Sequence, residues 1–427
     1  MDLKAKILDI VSREVKPALG CTEPISSAFA AALLREHLGA IPEQITLQVS
    51  GNLMKNAIAV TIPNTQESGL PIAAALGCVC GDSALGLEVL RHLEPSHIAQ
   101  AKALLPRISI SISIAENVPN LYIHAKATYG TDEVRVIIEG EHTYIRLLEK
   151  NKPILIQNPP KQADNSLGIF DTLSLREVYD LACEIEEDKI AFIAESARLN
   201  AELSREGLKR PYGLGIGYTF KKHLDSNLLQ NDLGTQILIQ TTAASDARMG
   251  GAPLPAMSNS GSGNQGITAT MPVVVVAKHL KKEHELNRAL FLSHLVAIYI
   301  HSKLPRLSAL CAVTTAGIGS YAGIAWLFSK DFEVVSMGIC NMIGDISGVL
   351  CDGAGSSCSM KVSTTIQSAF KALLLALDRS RVGGKEGIVD NEVDKSIQNL
   401  CDIASKSMQL TDKQILEIML AKTPANK

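Results

Sequence analysis

Four isoleucines, Ile108, Ile110, Ile112 and Ile114, alternate with Ser109, Ser111 and Ser113. A period of two is the spacing at which successive side chains fall on opposite faces of a strand. The segment is therefore expected to be a half-buried strand with one apolar and one polar face. The surrounding chain supplies partners for it. Residues 121–129 and 133–139 flank Gly130-Thr131-Asp132 and read as a hairpin, and 44–50 and 56–62 read as further strands. Two helices precede them. Leu3, Ile7, Leu8, Ile10, Val11 and Val15 recur at helical spacing and stop near Pro17 and Gly20, and a second helix is expected over 23–37. Residues 1–150 thus read as a mixed α/β domain.

The pattern changes after a linker at 151–172, which carries Pro153, Pro159 and Pro160. Ser174 with Glu177 forms a capping box that opens a long helical pattern to about Glu206. Further helices are expected over 282–303, 362–379, 390–407 and 412–421, the last capped by Thr411 and Gln414. Glycine-rich loops are expected at 249–265, 316–323 and 351–357. The expected fold class is α+β: a mixed α/β N-terminal domain, then a mostly helical domain over 173–427. Its glycine-rich active-site loops would let backbone N–H groups approach a small ligand.

Hydrophobic residues at 46% against 20% charged residues favour a large core over disorder. The net charge is −3, and the densest basic cluster, Lys278-His279-Leu280-Lys281-Lys282, reads as a solvated helix face. Nucleic acid is not an expected partner. The charged start, Met1-Asp2-Leu3-Lys4, lacks the apolar segment of a secretory signal, so a cytoplasmic location is expected. Residues 307–328 carry no charge and place Gly319 and Gly323 at the spacing of close helix packing. Ser, Thr and Gly crowd this stretch, and Tyr321, Trp326 and Phe328 all lie towards one end. It therefore reads as a buried segment and not as a membrane span.

Nine cysteines without a secretory signal favour metal or catalytic thiols over a disulfide framework. Cys311, Cys351 and Cys358 are separated by 39 and 6 residues. Thiolates are soft ligands suited to iron–sulfur clusters or zinc, and three of them would leave one iron of a four-iron cluster open. Spacing alone does not separate this from buried structural thiols, but the polar loop between Cys351 and Cys358 is unlike a core helix face. Cys21 stands just before Pro24 and a helix start, where a thiol pKa is lowered. It could be a base, an acid, a fourth ligand or an inert side chain. In the loop 258–266, Ser260, Gly261, Ser262 and Asn264 could form a nest of N–H groups for a carboxylate or phosphate, or a solvated loop without a ligand. A phosphate would imply pyridoxal phosphate, but no lysine motif accompanies the loop. Lys55 and Asn56, between two expected strands, could bind a carboxylate or simply form a polar turn. Cys78, Cys80, Cys183, Cys340 and Cys401 are assigned to packing. No His-x-x-x-His spacing indicates a histidine zinc site.

Taken together, these motifs are specific. They include Cys21-Thr22-Glu23-Pro24, Gly51-Asn52-Leu53-Met54-Lys55-Asn56 and Ala244-Ser245-Asp246-Ala247-Arg248-Met249-Gly250-Gly251. The loop 258–266, Arg306-Leu307-Ser308-Ala309-Leu310-Cys311 and Cys351-Asp352-Gly353-Ala354 through Cys358 complete the set. Over nearly its whole length the chain resembles the L-cysteine desulfidases, which are related to the catalytic part of iron–sulfur L-serine dehydratases. The resemblance implies a [4Fe–4S] cluster on Cys311, Cys351 and Cys358. It also implies a lyase that takes a small amino-acid substrate, converting L-cysteine to pyruvate, ammonia and hydrogen sulfide. Cys21 becomes the candidate base or resting fourth ligand, and Lys55, Asn56 and the glycine loop the candidate carboxylate contacts. The loop Ala354-Gly355-Ser356-Ser357-Cys358 departs from the Lys-Pro-containing loop of relatives while keeping the ligand spacing. Alternatives are an L-serine dehydratase with the same cluster, a pyridoxal-phosphate β-eliminase, and a non-enzymatic protein with a structural metal site. Self-association is left open.

Overall fold

A computed structural model describes residues 2–18, 20, 22–160, 165–305 and 308–422. The chain divides into two units. The larger comprises the described residues of Met1–Gly20, Asn165–Asp352 and Ser356–Gln414, and the smaller those of Cys21–Asp164, Gly353–Gly355 and Ile415–Lys427. The chain opens in the larger unit with α1 (Leu3–Glu14) and the short strand β1 (Pro17–Ala18).

The smaller unit contains helices α2 (Thr22–Leu38), α3 (Gly51–Ala57), α4 (Leu70–Cys80) and α5 (Pro95–Leu104). Its strands are β2 (Gln44–Ser50), β3 (Ser109–Ala115), β4 (Tyr122–Tyr129), β5 (Asp132–Glu139), β6 (Ile145–Lys150) and β7 (Ile154–Gln157). They form one six-stranded sheet in the order β3-β2-β4-β5-β6-β7, parallel between β2 and β3 and antiparallel elsewhere. Alternation sets its two faces. Ile45, Leu47, Val49, Ile123, Ala125, Val134, Val136 and Ile138 are buried on one face, over which α2 packs. Each of the Ile, Leu and Val side chains buried there is worth about 1.5–3 kcal/mol. The other face is polar, with His124 Nδ1 3.1 Å from Gln48 Oε1 and Arg135 paired with Glu149.

The isoleucine–serine strand and the hairpin form as the alternation requires. Residues 56–62 do not form a strand. The Ser50 hydroxyl accepts the Leu53 N–H at 3.3 Å and starts α3 directly after β2. Lys55 and Asn56 therefore lie on a buried helix and not in a polar turn between strands. The proline-marked segment contributes β7, paired with β6.

The larger unit is helical. Its elements are α6 (Leu175–Glu184), α7 (Ala194–Lys209), α8 (Ile216–Asp225), α9 (Leu233–Met249), the strand β8 (Ala256–Met257), α10 (Gly263–His279) and α11 (Leu286–His301). Then follow α12 (Val313–Ser329), α13 (Phe332–Ile346), α14 (Cys358–Leu377) and α15 (Val393–Asp402), and α16 (Met408–Lys422), which belongs to the larger unit only as far as Gln414, closes the described chain. The Ser174 capping box forms in both directions, with Glu177 N–H to Ser174 Oγ at 3.3 Å and Ser174 N–H to Glu177 Oε2 at 2.8 Å. The helix it opens ends at Glu184, because buried Ile185 turns extended, and 3-10 turns over Glu187–Ile193 lead into α7. Thr411 does not cap the last helix, which has already begun at Met408.

The glycines expected in a loop at 316–323 lie inside α12, which is buried along nearly its whole length. A Cβ on Gly319 would stand 2.4 Å from the Ser293 carbonyl on α11. These glycines allow two helix backbones to approach, so their absence of side chains serves packing. No described helix is long and apolar enough to cross a membrane.

Candidate active site

Two extended stretches meet in the larger unit. Leu310 and Leu350 form an isolated antiparallel bridge. The Cys311 N–H donates to the Val349 carbonyl at 2.8 Å, and the Cys351 N–H donates to the Ala309 carbonyl at 2.7 Å. With Leu310 opposite Leu350, the flanking Cys311 and Cys351 point to the same face, diagonally across the pair. Cys311 also leads directly into α12, and Cys358 is the first residue of α14. Three thiols with 39 and 6 residues between them are thereby related by one backbone pairing and two helix starts.

Cys311 is buried, and Cys351 and Cys358 are half-buried. Burial pushes the Cys311 thiol well above its ordinary range, and the neighbouring Cys351 and Cys358 add to the rise. The Val313 N–H and the Lys361 ammonium oppose it. Burial alone would lower the pKa of Lys361, but its ion pair with Asp352 and the thiols of Cys358 and Cys311 hold it above the usual lysine value. Among the described residues, no three His, Cys, Asp or Glu side chains gather closely enough to clasp a single metal ion. A lone zinc ion bonds thiolates at about 2.3 Å, whereas a four-iron cluster spreads its thiolates to roughly 6–7 Å from one another. Three thiols beside the Lys361 ammonium are a donor set that fits thiolate ligation of an iron–sulfur cluster.

A hydrogen-bonded chain joins Cys358's neighbour to the glycine loop. Ser359 Oγ is 2.9 Å from Ser245 Oγ, and Ser245 Oγ donates to Asn264 Oδ1 at 3.3 Å. Arg248 Nη1 donates to the same Asn264 oxygen at 3.3 Å, and Arg248 Nη2 to the Gly20 carbonyl at 2.9 Å. Asn264 is the second residue of α10, whose cap is Ser262, accepting from the Gln265 N–H at 3.5 Å. The turn before it carries Ser260 and Gly261 at positive φ. A Cβ on Gly266 would stand 1.9 Å from the Met257 carbonyl, so this glycine lets α10 start against β8.

The loop rests on a buried polar relay. Asn259 Nδ2 lies 3.0 Å from His294 Nδ1 and donates to the His294 carbonyl at 3.2 Å, and Thr270 Oγ1 lies 3.0 Å from His294 Nε2. Burial drives His294 down to about 3, so the imidazole is neutral. With Asn259 donating to Nδ1, the network assigns the proton to Nε2, facing Thr270.

In the smaller unit, Lys55 is 1% exposed and Asn56 6%. Gly353 has φ +99°, and a Cβ there would stand 2.5 Å from the Lys55 carbonyl. Cys21 lies outside the described residues, as do Arg306 and Leu307. Of the cysteines assigned to packing, Cys78 is buried, with burial pushing its thiol up to about 12, and Cys340 and Cys401 are buried too.

Sequence reasoning gave no role to Ser245, Asp246, Arg248, Ser359 or Lys361. Asp246 is 1% exposed on α9. Burial raises its carboxyl to about 6, against the opposing hydrogen bonds of Gly217, Ser359 and Ile216. The Gly217 N–H donates to Asp246 Oδ2 at 2.9 Å, so this carboxylate caps α8 from a neighbouring helix. The available signal was an Asp and an Arg two residues apart in an alanine-rich helix, where they cannot face one another and must each find distant partners.

A family model described as the serine dehydratase alpha chain matches residues 84–417. A UPF0597 protein of Actinobacillus pleuropneumoniae serotype 3 is 54% identical over 423 residues, covering 99% of this chain and 98% of its own. A UPF0597 protein of Dichelobacter nodosus is 52% identical over 424 residues, covering 99% and 98%. The UPF0597 protein YhaM of Salmonella dublin is 53% identical over 418 residues, covering 96% of each chain.

Proposed function

This chain belongs to the serine dehydratase alpha chain family, and from that premise we propose that it is an iron–sulfur lyase acting on L-cysteine. The products are pyruvate, ammonia and hydrogen sulfide. The observation that carries this reading is the Leu310–Leu350 bridge, which aligns Cys311 with Cys351 beside a third thiol at the head of α14.

Cys311, Cys351 and Cys358 would hold the [4Fe–4S] cluster, which when bound supplies a Lewis-acidic iron for the departing β-substituent. The chain's own groups do the rest. The Val313 N–H at the start of α12 and the Lys361 ammonium work against the burial that disfavours the Cys311 thiolate. The turn of Ser260, Gly261 and Ser262 and the first turn of α10, with Asn264, are assigned to the substrate carboxylate, although the Ser260 N–H and hydroxyl and the Ser262 N–H already donate to Glu14 and Asn259. Lys55 and Asn56 are assigned to the substrate as well. Cys21 is assigned either the proton of Cα or the resting fourth ligand position. As that proton leaves, its electron pair forms the Cα–Cβ double bond, the C–S bond breaks, and the thiolate departs and is protonated to hydrogen sulfide. The remaining enamine tautomerises and is hydrolysed by water to pyruvate and ammonia.

The family description favours a second reading, with L-serine as substrate and water as the leaving group. One experiment separates the possibilities. Protein purified without oxygen is analysed for iron and acid-labile sulfide, and sulfide and pyruvate release are measured with each amino acid. About four irons per chain and equimolar sulfide and pyruvate from L-cysteine are expected. A higher kcat/KM for L-serine installs the second reading, and a yellow, borohydride-sensitive protein indicates pyridoxal phosphate. A colourless chain that stays inactive after anaerobic reconstitution overturns the lyase. In the same assay Cys21→Ser distinguishes its two roles. Lost turnover with an unchanged spectrum marks a base, and an altered resting spectrum marks a ligand.

A further inference from the structure

β3 is the outer strand of the six-stranded sheet, and among the described residues no strand lies beyond it. It pairs with β2 without interruption from Gln44↔Ser109 to Ser50↔Ala115. An exposed edge of this kind is a template for another strand, and proteins usually blunt it with charge, proline, a bulge or brevity. The opposite edge is blunted: β7 has four residues, irregular register and Pro153 just before it. β3 has none of these devices. Its seven residues, Ser-Ile-Ser-Ile-Ser-Ile-Ala, contain no charge and no proline.

The backbone states which groups are open. The Ser109 N–H donates to the Glu43 carbonyl at 3.0 Å, so Ser109, Ser111 and Ser113 turn towards β2. In a parallel pair each residue directs its N–H and C=O to the same side. Ile110, Ile112 and Ile114 therefore turn theirs outward. Their side chains are half-buried on the apolar face, while those of Ser109, Ser111 and Ser113 are exposed.

We propose that β3 is a dimer interface, pairing antiparallel with β3 of a second copy of this chain about a two-fold axis at Ile112. Three features select a second copy over any other strand. The segment is palindromic: about Ile112, Ile110 meets Ile114 and Ser111 meets Ser113, so apolar joins apolar and hydroxyl joins hydroxyl. The open backbone groups sit at the right phase, because Ile112 with its counterpart, and Ile110 with Ile114 twice, are hydrogen-bonding pairs that exchange about six bonds. The flanks complement one another in charge. Arg107 precedes the strand and Glu116 follows it, both exposed and neither ion-paired among the described residues. Antiparallel pairing about Ile112 sets Arg107 opposite Asn117 and Glu116 opposite Ile108, so Arg107 of each copy comes within one register position of Glu116 of the other, twice per dimer. The two sheets then run on as one, and the half-exposed isoleucine row of each copy is covered by the other.

The test is the association state of the full chain by analytical ultracentrifugation across nanomolar to micromolar concentrations. A dimer is expected. Arg107→Glu brings like charges within one register position of each other at both ends, and should raise the dimer Kd roughly tenfold or more at low salt. The double swap Arg107→Glu with Glu116→Arg should return it close to the starting value. Both positions are exposed, so folding is not at issue. Ile112→Pro removes the two central outward N–H donors without touching a bond to β2, a position where edge strands accept proline, and should leave monomer at micromolar concentration. A monomeric wild-type chain overturns the proposal. So does a dimer indifferent to both Arg107→Glu and Ile112→Pro, which would place the contact elsewhere.

Discussion

Ser359 Oγ lies 2.9 Å from Ser245 Oγ, which ties the second residue of α14, next to Cys358, to the C-terminal part of α9. Ser245 passes the link to Asn264 at the start of α10. The helix that carries a candidate cluster thiol and the helix whose first turn is the candidate carboxylate site are thus held in register by two side-chain contacts. Both serines are fully buried, so neither contact competes with water.

Ser245→Ala breaks both contacts at once. Ser359 and Asn264 each lose a partner in a buried setting, which should lower stability by about 1–3 kcal/mol. If the register of α10 and α14 matters to the substrate, KM for L-cysteine rises severalfold while iron content stays at the wild-type level. Thermal melts, iron analysis and steady-state kinetics on one preparation check all three. Unchanged KM with lowered stability would leave the link a purely structural one.

The cysteines should separate into two groups. Cys311→Ala, Cys351→Ala and Cys358→Ala should each lose most of the iron and the visible absorption of the anaerobically purified protein. Cys78→Ser, Cys340→Ser and Cys401→Ser should keep both, since their thiols lie in packed surroundings. The readout is the iron-to-protein ratio together with the absorption spectrum. Retention of iron by any of the first three removes that residue from the ligand set.

How far the sequence foretold this depends on which physical signal each segment carries. Alternating Ile and Ser could only be a half-buried strand, and β3 is one. The Ser174–Glu177 box marked a helix start because the two residues satisfy each other's backbone. Residues 56–62 misled because Ile58, Val60 and Ile62 alternate, while the signal that decides the segment is the Ser50 cap on α3. The α12 glycines carried two opposite meanings, loop and close packing, and only the neighbouring α11 backbone selects one. In the candidate site, Cys311, Cys351 and Cys358 could be nominated by residue type, but no spacing announces that 310 pairs with 350. Asp246 and Lys361 were given no role for the same reason. Their partners, Gly217 and Asp352 with the thiols, are set by tertiary packing.

The Lys361 ammonium faces both Cys311 and Cys358. Replacing it with methionine keeps the length of the side chain and removes the charge. Thiolates then form at higher pH, so the pH midpoint for anaerobic cluster reconstitution should move up by roughly one unit. Lys361→Arg, which keeps the charge, should restore the midpoint. A midpoint that ignores both substitutions would mean that the helix starts alone set the thiol chemistry.

Asp246 supplies a pH signature of a different origin. Its carboxyl rises from 3.8 to about 6, chiefly because burial disfavours the charged form. A carboxyl whose pKa is higher in the fold than in the unfolded chain holds its proton more tightly when folded. The stability it contributes is complete below pH 3.8, is lost as the pH rises through about 6, and stays lost above that. The loss by pH 7 is on the order of 3 kcal/mol. Asp246→Asn removes the charge but keeps an oxygen that can accept the Gly217 N–H. The variant should therefore melt a few degrees above the wild type at pH 7.5, and the gap should close as the pH falls to 4. Melting curves of the two proteins across this range decide the matter. If Asp246→Asn is less stable than the wild type by the same margin at every pH, the ionised carboxylate is held by its cap on α8 more strongly than burial opposes it.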